Sequence, residues 1–389
     1  MLALHIHDRW SALGGADWYL LSIMDAYREH IRSAGLFGRA DGTAPARYAP
    51  SDGLELIKKL DRKSSFSGER RMADFAARRI KEINPDVIHV HNILNPHLLR
   101  VLAGLGPVLM TVQDHRFFCP GRGKVQADGT RCDQLFGLAC AGCFQDEDYF
   151  FRLLELVRAR LDALAEFPAL TVLSEYMKAE LAKAGLDAAR IHVIPPFAHG
   201  LAGTPRPAAF RQEILFAGRI VWAKGVFDLL DALPRIDPRF GLVIAGRGPS
   251  ESEARDRVID LGLDGRVAFR GWVPHQDLAP LYARAKLVVM PSRWQEPFGI
   301  AGLEAQFLGR PVVAYDVGGI GEWLADRRTG LLAPPGDIPA LAAAVNTLLD
   351  CPDQATELGL AGRERAGRHF DRTVLTDRLI GLYRQVAGH

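Results

Sequence analysis

The sequence predicts an α/β protein of two doubly wound halves, each a parallel sheet covered by helices. Three observations indicate this fold class: short apolar runs recur along the chain, helical stretches separate them, and a Gly- and Pro-rich break lies near the middle of the 389 residues. Strands buried on both faces of a parallel sheet are near-continuous apolar runs, and a crossover helix joins each strand to the next. A chain of this length suits two domains of roughly 100–200 residues each.

The first half alternates strands and helices. Residues 2–7 form an apolar run that ends before a Gly14-Gly15 turn, and a helical pattern follows over residues 16–30. The later strand candidates have β-branched cores and span residues 85–91, 108–112, 170–173 and 191–194. Helical stretches at 68–83 and 149–166 lie between them. This alternation predicts a parallel sheet with helices on both faces.

The second half restarts the same alternation after a break. Pro195-Pro196 and a stretch rich in Gly, Pro and Ala at 198–209 predict an interdomain linker. Most of the following strand candidates end in a Gly- or Pro-bearing turn, and they span residues 214–217, 241–245, 267–270, 287–290 and 311–314. Ligands of doubly wound sheets bind beyond the carboxyl ends of the strands. Two such halves facing each other would form a cleft that suits a substrate.

Composition limits the class of function. The 48% apolar and 24% charged residues match a globular enzyme, and a net charge of +2 gives no basis for nucleic-acid binding. The chain has no run of about 18 apolar residues and no N-terminal secretory pattern, so we expect a cytoplasmic protein. Any contact with the inner face of a membrane would be peripheral. One basic stretch is either a solvated helix face or a docking surface for an anionic membrane or acceptor: Arg70, Arg71, Arg78, Arg79 and Lys81.

The first site pattern is a pair of cations. Gly218-Arg219 follows the strand candidate at 214–217, and Lys224 comes shortly after. Both side chains would lie at the carboxyl end of that strand. There Arg, with its planar fork, and Lys, as a point charge, can neutralise a diphosphate.

The second site pattern is a pair of glutamates, Glu296 and Glu304, with seven residues between them. Pro297 suits the approach to a helix, and small residues from Gly299 onward would let an anion reach the backbone N–H groups of the first turn. Glu304 would lie further along this helix, where a carboxylate can accept hydrogen bonds from the two vicinal hydroxyls of a ribose. Glu296 would lie before the helix and could contact a sugar. In isolation, Glu304 would be a helix carboxylate paired with a nearby Arg.

Together these motifs resemble those of the family-four retaining glycosyltransferases, the group 1 glycosyl transferases. The resemblance is most specific between residues 214 and 340, and the motifs are Gly218-Arg219, Lys224-Gly225, Ala245-Gly246-Arg247-Gly248, Gly271-Trp272-Val273, the Glu296–Glu304 pair, Pro311-Val312-Val313-Ala314 and Gly318-Gly319. The resemblance implies a GT-B fold of two facing Rossmann-like domains and a nucleotide-diphosphate sugar donor. It also implies hexosyltransferase-like transfer with retention of configuration and without a catalytic metal or other catalytic cofactor.

The resemblance also assigns roles to residues. Arg219 and Lys224 would hold the diphosphate, Glu296 the transferred sugar and Glu304 the ribose. The glycines that would border the donor are Gly14, Gly15, Gly218, Gly246 and Gly299. The leaving phosphate oxygen would help to deprotonate an acceptor hydroxyl on a glycan, a lipid-linked molecule or a small molecule, in polysaccharide, glycolipid or other glycoconjugate synthesis.

The same resemblance implies domain boundaries. Residues 1–197 would form the acceptor-side domain, with a cysteine-rich insertion at about 117–146. Residues 198–372 would bind the nucleotide sugar. A C-terminal helix at about 373–389 would cross back onto the first domain.

One segment of the first half departs from the family pattern. Gln113 stands where these enzymes often have His, and His115 follows two residues later. A Gln side chain can donate a hydrogen bond to a sugar hydroxyl but cannot act as a general base at neutral pH. His89 and His91 alternate with Val90 at a strand end, and we interpret them as structural histidines.

The insertion contains four cysteines, Cys119, Cys132, Cys140 and Cys143. A C-x-x-C pair with two further cysteines is compatible with tetrahedral zinc, although the upstream two are not themselves a close pair. Three alternatives stay open: a structural zinc site, unliganded or redox-labile thiols, and an iron–sulfur cluster. A reducing cytoplasm disfavours disulfides.

Other functions compete with sugar transfer. A nicotinamide oxidoreductase would need a G-x-G-x-x-G motif after its first strand, which Gly14-Gly15 does not supply. A nucleotide-sugar epimerase would keep the donor site but need no acceptor. A non-catalytic sugar-nucleotide-binding relative is the third alternative, and the intact set of Arg219, Lys224, Glu296 and Glu304 argues against it.

Overall fold

The computed structural model describes residues 1–64, 67–126, 129–197 and 212–388. The predicted linker at 198–209 lies outside these residues. The chain divides into two compact units. Unit 1 comprises Met1–Lys124, Asp133–Pro196 and Arg372–His389, and unit 2 comprises Val125–Cys132 and Phe197–Asp371.

The cysteine-rich insertion is split between the two units. We expected all of it in the first domain, but Val125–Cys132 belongs to unit 2. Within that unit Gly129 lies against Trp222 and Arg293, and a Cβ at Gly129 would come within 2.9 Å of Arg293 Nη1. By its position in the chain, Val125–Cys132 would belong to the first domain. The segment belongs to unit 2 because it packs against side chains that lie much later in the chain.

Unit 1 contains a seven-stranded sheet. Its strands are β1 (Leu2–His7), β2 (Arg32–Phe37), β3 (Leu54–Leu56), β4 (Val87–His91), β5 (Val108–Val112), β6 (Ala169–Val172) and β7 (Ile191–Val193). They pair in parallel in the order β3-β2-β1-β4-β5-β6-β7. The apolar runs did not predict β2 and β3, because Arg32, Ser33 and Gly35 interrupt the first and the second has only three residues.

Unit 2 contains a six-stranded parallel sheet. Its strands are β8 (Glu213–Ala217), β9 (Gly241–Ala245), β10 (Val267–Gly271), β11 (Leu287–Met290), β12 (Val312–Tyr315) and β13 (Leu331–Ala333). Their order is β10-β9-β8-β11-β12-β13, with every pairing parallel. The chain reverses its winding direction between β8 and β11, as it does between β1 and β4 in unit 1. Ligand sites of such sheets lie at the carboxyl ends of the strands beside this switch point.

Helices connect the strands in both units. They are α1 (Gly15–Ala26), α2 (Glu69–Ile83), α3 (Pro96–Ala103), α4 (Glu147–Ala165), α5 (Glu175–Lys183), α6 (Val226–Ala232), α7 (Glu251–Asp260), α8 (Ala279–Arg284), α9 (Ile300–Phe307), α10 (Ile320–Trp323), α11 (Ile338–Asp350), α12 (Pro352–His369) and α13 (Arg372–Ala387). The last of these packs against α1, β4 and β5 of unit 1. None of the described helices is both long and apolar enough to cross a bilayer.

Side-chain caps determine where several helices begin. Asn95, Asp146, Ser174 and Asp337 each accept a hydrogen bond from a backbone N–H in the first turn of the following helix. Such caps satisfy N–H groups that have no partner within the helix. The predicted helix at 149–166 therefore begins earlier, at Glu147, because Asp146 caps it.

Candidate functional site

The loops after β8 and β9 pack backbone against backbone at the carboxyl edge of the unit 2 sheet. Gly246 has a φ of +151°, and a Cβ there would lie 1.9 Å from the Gly218 carbonyl oxygen. A Cβ at Gly248 would lie 2.1 Å from the Ile220 carbonyl oxygen. Gly246 and Gly248 thus allow this close approach, which orders the backbone around Arg219, whereas a Cβ at Gly218 would meet only the Phe216 ring at 3.8 Å.

The two predicted diphosphate cations lie in the loop after β8 and differ in their surroundings. Arg219 is exposed: its backbone carbonyl accepts from Val221 N over 3.0 Å, but its side chain makes no hydrogen bond or ion pair within the described part of the chain. Lys224 ends a 3-10 turn that is followed by Gly225 in the left-handed conformation. A Cβ at Gly225 would lie 1.6 Å from the Pro291 carbonyl oxygen. This contact joins the loops after β8 and β11 and brings Lys224 to Glu296.

Glu296 is a buried carboxylate with two polar partners. Lys224 Nζ lies 2.6 Å from Glu296 Oε1, and Ser292 Oγ donates to the same oxygen. The Trp294 ring centroid lies 5.3 Å from Lys224 Nζ, a cation–π distance. The backbone of Glu296 packs on Gly318, where a Cβ would lie 2.2 Å from the Glu296 carbonyl oxygen. The predicted glycine-rich turn after β12 therefore supports the residue assigned to the sugar.

Glu304 lies on α9, which begins after Gly299. Gly299 has a φ of +96°, a conformation that favours glycine. The Glu304 side chain is buried, with His275 Nε2 2.6 Å from Oε1 and the Tyr282 hydroxyl 3.1 Å from Oε2. The helix position of Glu304 alone predicted an Arg partner, which is wrong, and no sequence pattern predicted His275 or Tyr282. Their spacing from Glu304 follows no helical or strand period, so only the fold brings them together.

Another ion pair of unit 2 joins Arg293 to the buried Asp228. Arg293 Nε is 2.9 Å from Asp228 Oδ2, and the Tyr315 hydroxyl donates to Asp228 Oδ2 over 3.0 Å. The Arg293 guanidinium lies 5.2 Å from the Trp222 ring centroid. Gly129 of the Val125–Cys132 segment packs on the same two side chains. No sequence pattern predicted a role for Arg293, Asp228, Tyr315 or Trp222.

The Gly14-Gly15 turn of unit 1 is held by a buried carboxylate. Asp17 Oδ2 accepts from Gly14 N over 2.9 Å, and Arg9 donates to both Asp17 oxygens over 2.9 and 3.0 Å. Asp17 is 1% exposed, and α1 begins at Gly15. This pattern gives the turn a structural explanation, which is compatible with the predicted role beside the donor.

Histidines crowd one face of β1 and β4. His5, His89 and His91 are fully buried, and each has a ligand atom within 4.8 Å of the others'. The rings of His89 and His91 lie 3.8 Å apart between centroids, with an interplanar angle of 36°. Burial, and then the neighbouring His7, lower the pKa of His5 to about 3. Burial also lowers the pKa of His89 and of His91 well below the ordinary value.

Hydroxyl groups or a neighbouring ring nitrogen contact five of the six nitrogens of these rings, and His91 Nδ1 has no hydrogen-bond partner within the described residues. His89 Nδ1 lies 2.6 Å from the Tyr383 hydroxyl, and His89 Nε2 lies 2.6 Å from Thr111 Oγ1. His5 contacts His91 through one nitrogen, at 3.0 Å, and the Tyr27 hydroxyl through the other. The cluster is therefore a hydrogen-bonded network of neutral rings, in agreement with the structural interpretation of His89 and His91.

Gln113, at the family's usual histidine position, is 9% exposed. Neither polar atom of its amide has a hydrogen-bond partner within the described residues. Burial alone would raise the pKa of the adjacent Asp114 carboxyl. Hydrogen bonds and the charge of Arg116 outweigh that effect and keep the pKa below its usual value.

The five cysteines form no disulfide. Cys119 and Cys143 approach the same glycine: a Cβ at Gly121 would lie 3.9 Å from Cys119 Sγ and 3.6 Å from Cys143 Sγ. Over the described ranges, the group His5, His89 and His91 has converging ligand atoms, and no cysteine set does. The zinc alternative stays a prediction.

Two protein families match consecutive parts of the chain. Residues 208–365 match the family described as Glycosyl transferases group 1, and residues 13–198 match Glycosyltransferase Family 4. Glycogen synthase of Mycobacterium tuberculosis is 33% identical over 302 residues, which cover 75% of this chain and 67% of that protein. Alpha-D-kanosaminyltransferase of Streptomyces kanamyceticus is 32% identical over 179 residues, 45% of this chain and 46% of its own length.

Solved structures with the same fold cover almost the whole chain. The Anabaena protein HepE, in complex with UDP-glucose, superposes with a TM-score of 0.76 at 20% identity, covering 99% of this chain and 100% of HepE. Sucrose-phosphate synthase from Thermosynechococcus elongatus superposes with a TM-score of 0.76 at 23% identity, covering 100% and 99%. These glycosyltransferase neighbours identify the two Rossmann-like sheets as those of a GT-B fold.

Proposed function

Because this chain belongs to the group 1 glycosyltransferases, we propose that it moves a hexose-like sugar from a nucleotide-diphosphate donor to an acceptor hydroxyl with retention of configuration. Glycosyltransferase activity follows from the family, and the donor class agrees with the UDP-glucose bound to HepE. One observation carries the proposal. Lys224, Glu296 and Glu304 come from three elements of unit 2 and lie buried or half-buried at the carboxyl side of its sheet.

The chemistry of the leaving group suits these side chains. Cleavage of a glycosyl–diphosphate bond builds negative charge on the diphosphate, and preorganised cations that stabilise such charge are usually the largest catalytic contribution. Arg219 is exposed and can move to the diphosphate without breaking an existing bond. Lys224 is already ordered by Glu296 and Trp294. We assign the leaving group to these two cations and propose that transfer needs no divalent ion.

The proposed acceptor is a hydroxyl group of a glycan, a lipid-linked molecule or a small molecule. The names of similar proteins support this range, since they include a glycogen synthase and a mannosyltransferase acting on phosphatidylinositol monomannoside in Mycobacterium tuberculosis. We propose that the chain acts in polysaccharide, glycolipid or other glycoconjugate synthesis.

A ligand panel tests the donor site. UDP, GDP and ADP are each added to the protein, and its thermal unfolding is followed. A ligand that binds only the folded state stabilises it by about 2.7 kcal/mol at a hundredfold excess over Kd. We expect one nucleotide to raise the midpoint well above the other two. If none of the three shifts it, the donor assignment is wrong.

Product analysis then tests the reaction. Sugar nucleotides of the selected base are incubated with the protein and a panel of hydroxyl acceptors, and the anomeric configuration of the product is read by NMR. Retained configuration in a new glycoside supports the proposal. An epimerised sugar nucleotide without an acceptor product would favour an epimerase, and binding without turnover would favour a non-catalytic relative.

We also propose peripheral contact with the inner face of a membrane, through α2. Phe75 is 40% exposed, and Arg70, Arg71, Arg78 and Lys81 on the same helix are exposed as well. Such a surface suits anionic lipid headgroups, each cation contributing about 1 kcal/mol near the membrane. The protein should pellet with sedimented vesicles that contain phosphatidylglycerol, and an Arg70→Gln/Arg71→Gln/Arg78→Gln variant should stay in the supernatant. Equal partition of both proteins would refute the contact.

A further inference from the structure

Glu304 is a buried carboxylate of unit 2 whose two oxygens have different hydrogen-bond partners. It is 5% exposed, and each of its oxygens has its own partner. His275 lies in a 3-10 turn that follows β10, and its Nε2 is 2.6 Å from Glu304 Oε1. Tyr282 lies on α8, and its hydroxyl is 3.1 Å from Glu304 Oε2. Two separate elements therefore converge on a side chain that a third element, α9, carries.

The direction of both hydrogen bonds follows from the carboxylate. An ionised carboxylate only accepts, so His275 Nε2 carries a proton and donates it. The Tyr282 hydroxyl has a single proton and also lies 3.1 Å from the Ala301 carbonyl oxygen. A charged acceptor makes the stronger hydrogen bond. Burial, and then the negative charge of Glu304, raise the pKa of Tyr282 well above its ordinary value, so its hydroxyl keeps the proton.

The two donors leave a defined acceptor pattern. A carboxylate offers about four lone-pair sites, two on each oxygen. When His275 occupies a site on Oε1 and Tyr282 occupies one on Oε2, a single site remains on each oxygen. Two neighbouring acceptors in the plane of one carboxylate match two vicinal hydroxyls, each of which donates one proton.

We propose that His275 and Tyr282 are positioning residues that hold the Glu304 carboxylate in the orientation that selects an intact 2′,3′-diol over a deoxyribose. This inference rests on the proposed donor site, because Glu304 must contact the nucleotide for the selection to occur. The donor site would then distinguish ribose from deoxyribose as well as bind the nucleotide. His275 and Tyr282 would produce this discrimination through Glu304, without touching the ribose themselves.

The expected selectivity follows from the cost of an unmade hydrogen bond. A nucleotide without one hydroxyl leaves a buried carboxylate acceptor unpaired, and sites built to bind a hydroxyl reject analogues that lack it. We expect 2′-deoxyuridine diphosphate and 3′-deoxyuridine diphosphate to bind roughly ten- to a hundredfold more weakly than UDP. The guanosine or adenosine series replaces the uridine series if GDP or ADP is the nucleotide that binds.

Four variants separate positioning from general stability. Tyr282→Phe removes only the hydroxyl, and His275→Met removes the donor while filling the space. His275→Gln keeps an N–H donor and serves as the conservative variant. Tyr315→Phe is the matched control, because it removes a buried hydroxyl that donates to a different carboxylate of unit 2, Asp228, over 3.0 Å.

The measurement is the ratio of calorimetric Kd values for the deoxy and ribo diphosphates. We expect this ratio to fall to within about threefold of unity in Tyr282→Phe and His275→Met, because a carboxylate free to rotate re-pairs with a single hydroxyl. The ratio should persist in His275→Gln and Tyr315→Phe. An unchanged ratio in both Tyr282→Phe and His275→Met overturns the inference. If the wild-type protein binds none of the ribonucleotides, the proposed donor site fails instead.

Discussion

Lys224 Nζ lies 2.6 Å from Glu296 Oε1, so two side chains predicted to hold different parts of the donor are paired with each other. Glu296 is 4% exposed at its side chain and Lys224 29%. Removing one partner of a buried pair leaves an uncompensated charge, which costs stability as well as function. For variants of Lys224 or Glu296, both unfolding free energy and turnover must therefore be measured. For Arg219, turnover alone is informative.

Arg219→Ala should reduce turnover without changing stability. The side chain is exposed, so its removal should shift the unfolding midpoint negligibly. If it stabilises charge on the leaving diphosphate, kcat should fall by about a hundred- to a thousandfold. Arg328→Ala is the matched control: this exposed arginine precedes β13, at the amino end of the sheet. A transfer rate within tenfold of wild type in Arg219→Ala would refute the assignment.

Lys224→Ala should reduce both turnover and stability. Glu296 would lose its cation while staying buried, and we expect a loss of about 1–3 kcal/mol, since the partly exposed lysine limits the effect. Replacing the carboxylate as well, in Lys224→Ala/Glu296→Gln, removes the buried charge. Denaturant unfolding should show the double variant recovering part of the lost stability while its turnover stays low. Equal stability of the single variant and wild type would contradict the pairing.

Transfer should continue when divalent cations are chelated. The chain has one Asp-x-Asp sequence, Asp146-Glu147-Asp148, and it begins α4, where Asp146 caps the helix by accepting from Tyr149 N. The predicted leaving-group cations are side chains instead. Initial rates measured in excess EDTA should match those in buffer alone. Loss of activity that Mg²⁺ or Mn²⁺ restores, and Zn²⁺ does not, would show that the leaving-group chemistry is misassigned.

The cysteine segment should bind about one zinc per chain. Phe117 and Phe118 are buried, but none of residues 131–143 is, so this part has little packing of its own, while structural zinc contributes roughly 10 kcal/mol or more to folding in small sites. Elemental analysis of tag-free protein should find the metal, and Cys140→Ser/Cys143→Ser should lose it. Cys351→Ser, at an exposed cysteine after α11, should keep it. Metal-free wild-type protein whose thiols all titrate would favour unliganded cysteines, and one or more irons with sulfide would favour a cluster.

Unit 1 should lose stability steeply in mild acid. The pKa of His5 is lowered to about 3, and those of His89 and His91 lie well below the usual 6.5, so the folded state keeps these rings neutral. The unfolded chain binds protons as the pH falls below about 6.5. Stability therefore falls with pH in that range, by up to about 1.4 kcal/mol per pH unit for each ring.

Thermal unfolding from pH 7.5 to pH 4.5 measures this dependence. The midpoint should drop most steeply below pH 6, and the slope should be shallower in His89→Gln, because one titrating ring is gone. His30→Gln replaces an exposed histidine of the same unit and should keep the wild-type slope. Parallel slopes for all three proteins would mean that the buried rings do not govern acid stability.

Local patterns predicted much of the site. The apolar runs located most strands, and parallel strands bring their carboxyl ends to one edge, so Arg219, Lys224 and Glu296 could be placed at the same edge of unit 2 from sequence alone. The two-residue strand period also indicated that His89 and His91 share one face. The strand positions and the shared face depend on residues close together in the chain, where backbone geometry sets the spacing. The shared edge follows from parallel pairing of the strands.

Contacts between distant segments were decided by tertiary structure. No spacing rule links His275 or Tyr282 to Glu304, or Arg9 to Asp17, because each partner reaches the other from a separate element. The same holds for Val125–Cys132, which chain order placed in the first domain and which packs with unit 2. Sequence determined the fold class and the sheet edge at which the candidate site residues lie. Packing decided which partner each buried charge received, since burying a charge is favourable only where the folded chain supplies that partner.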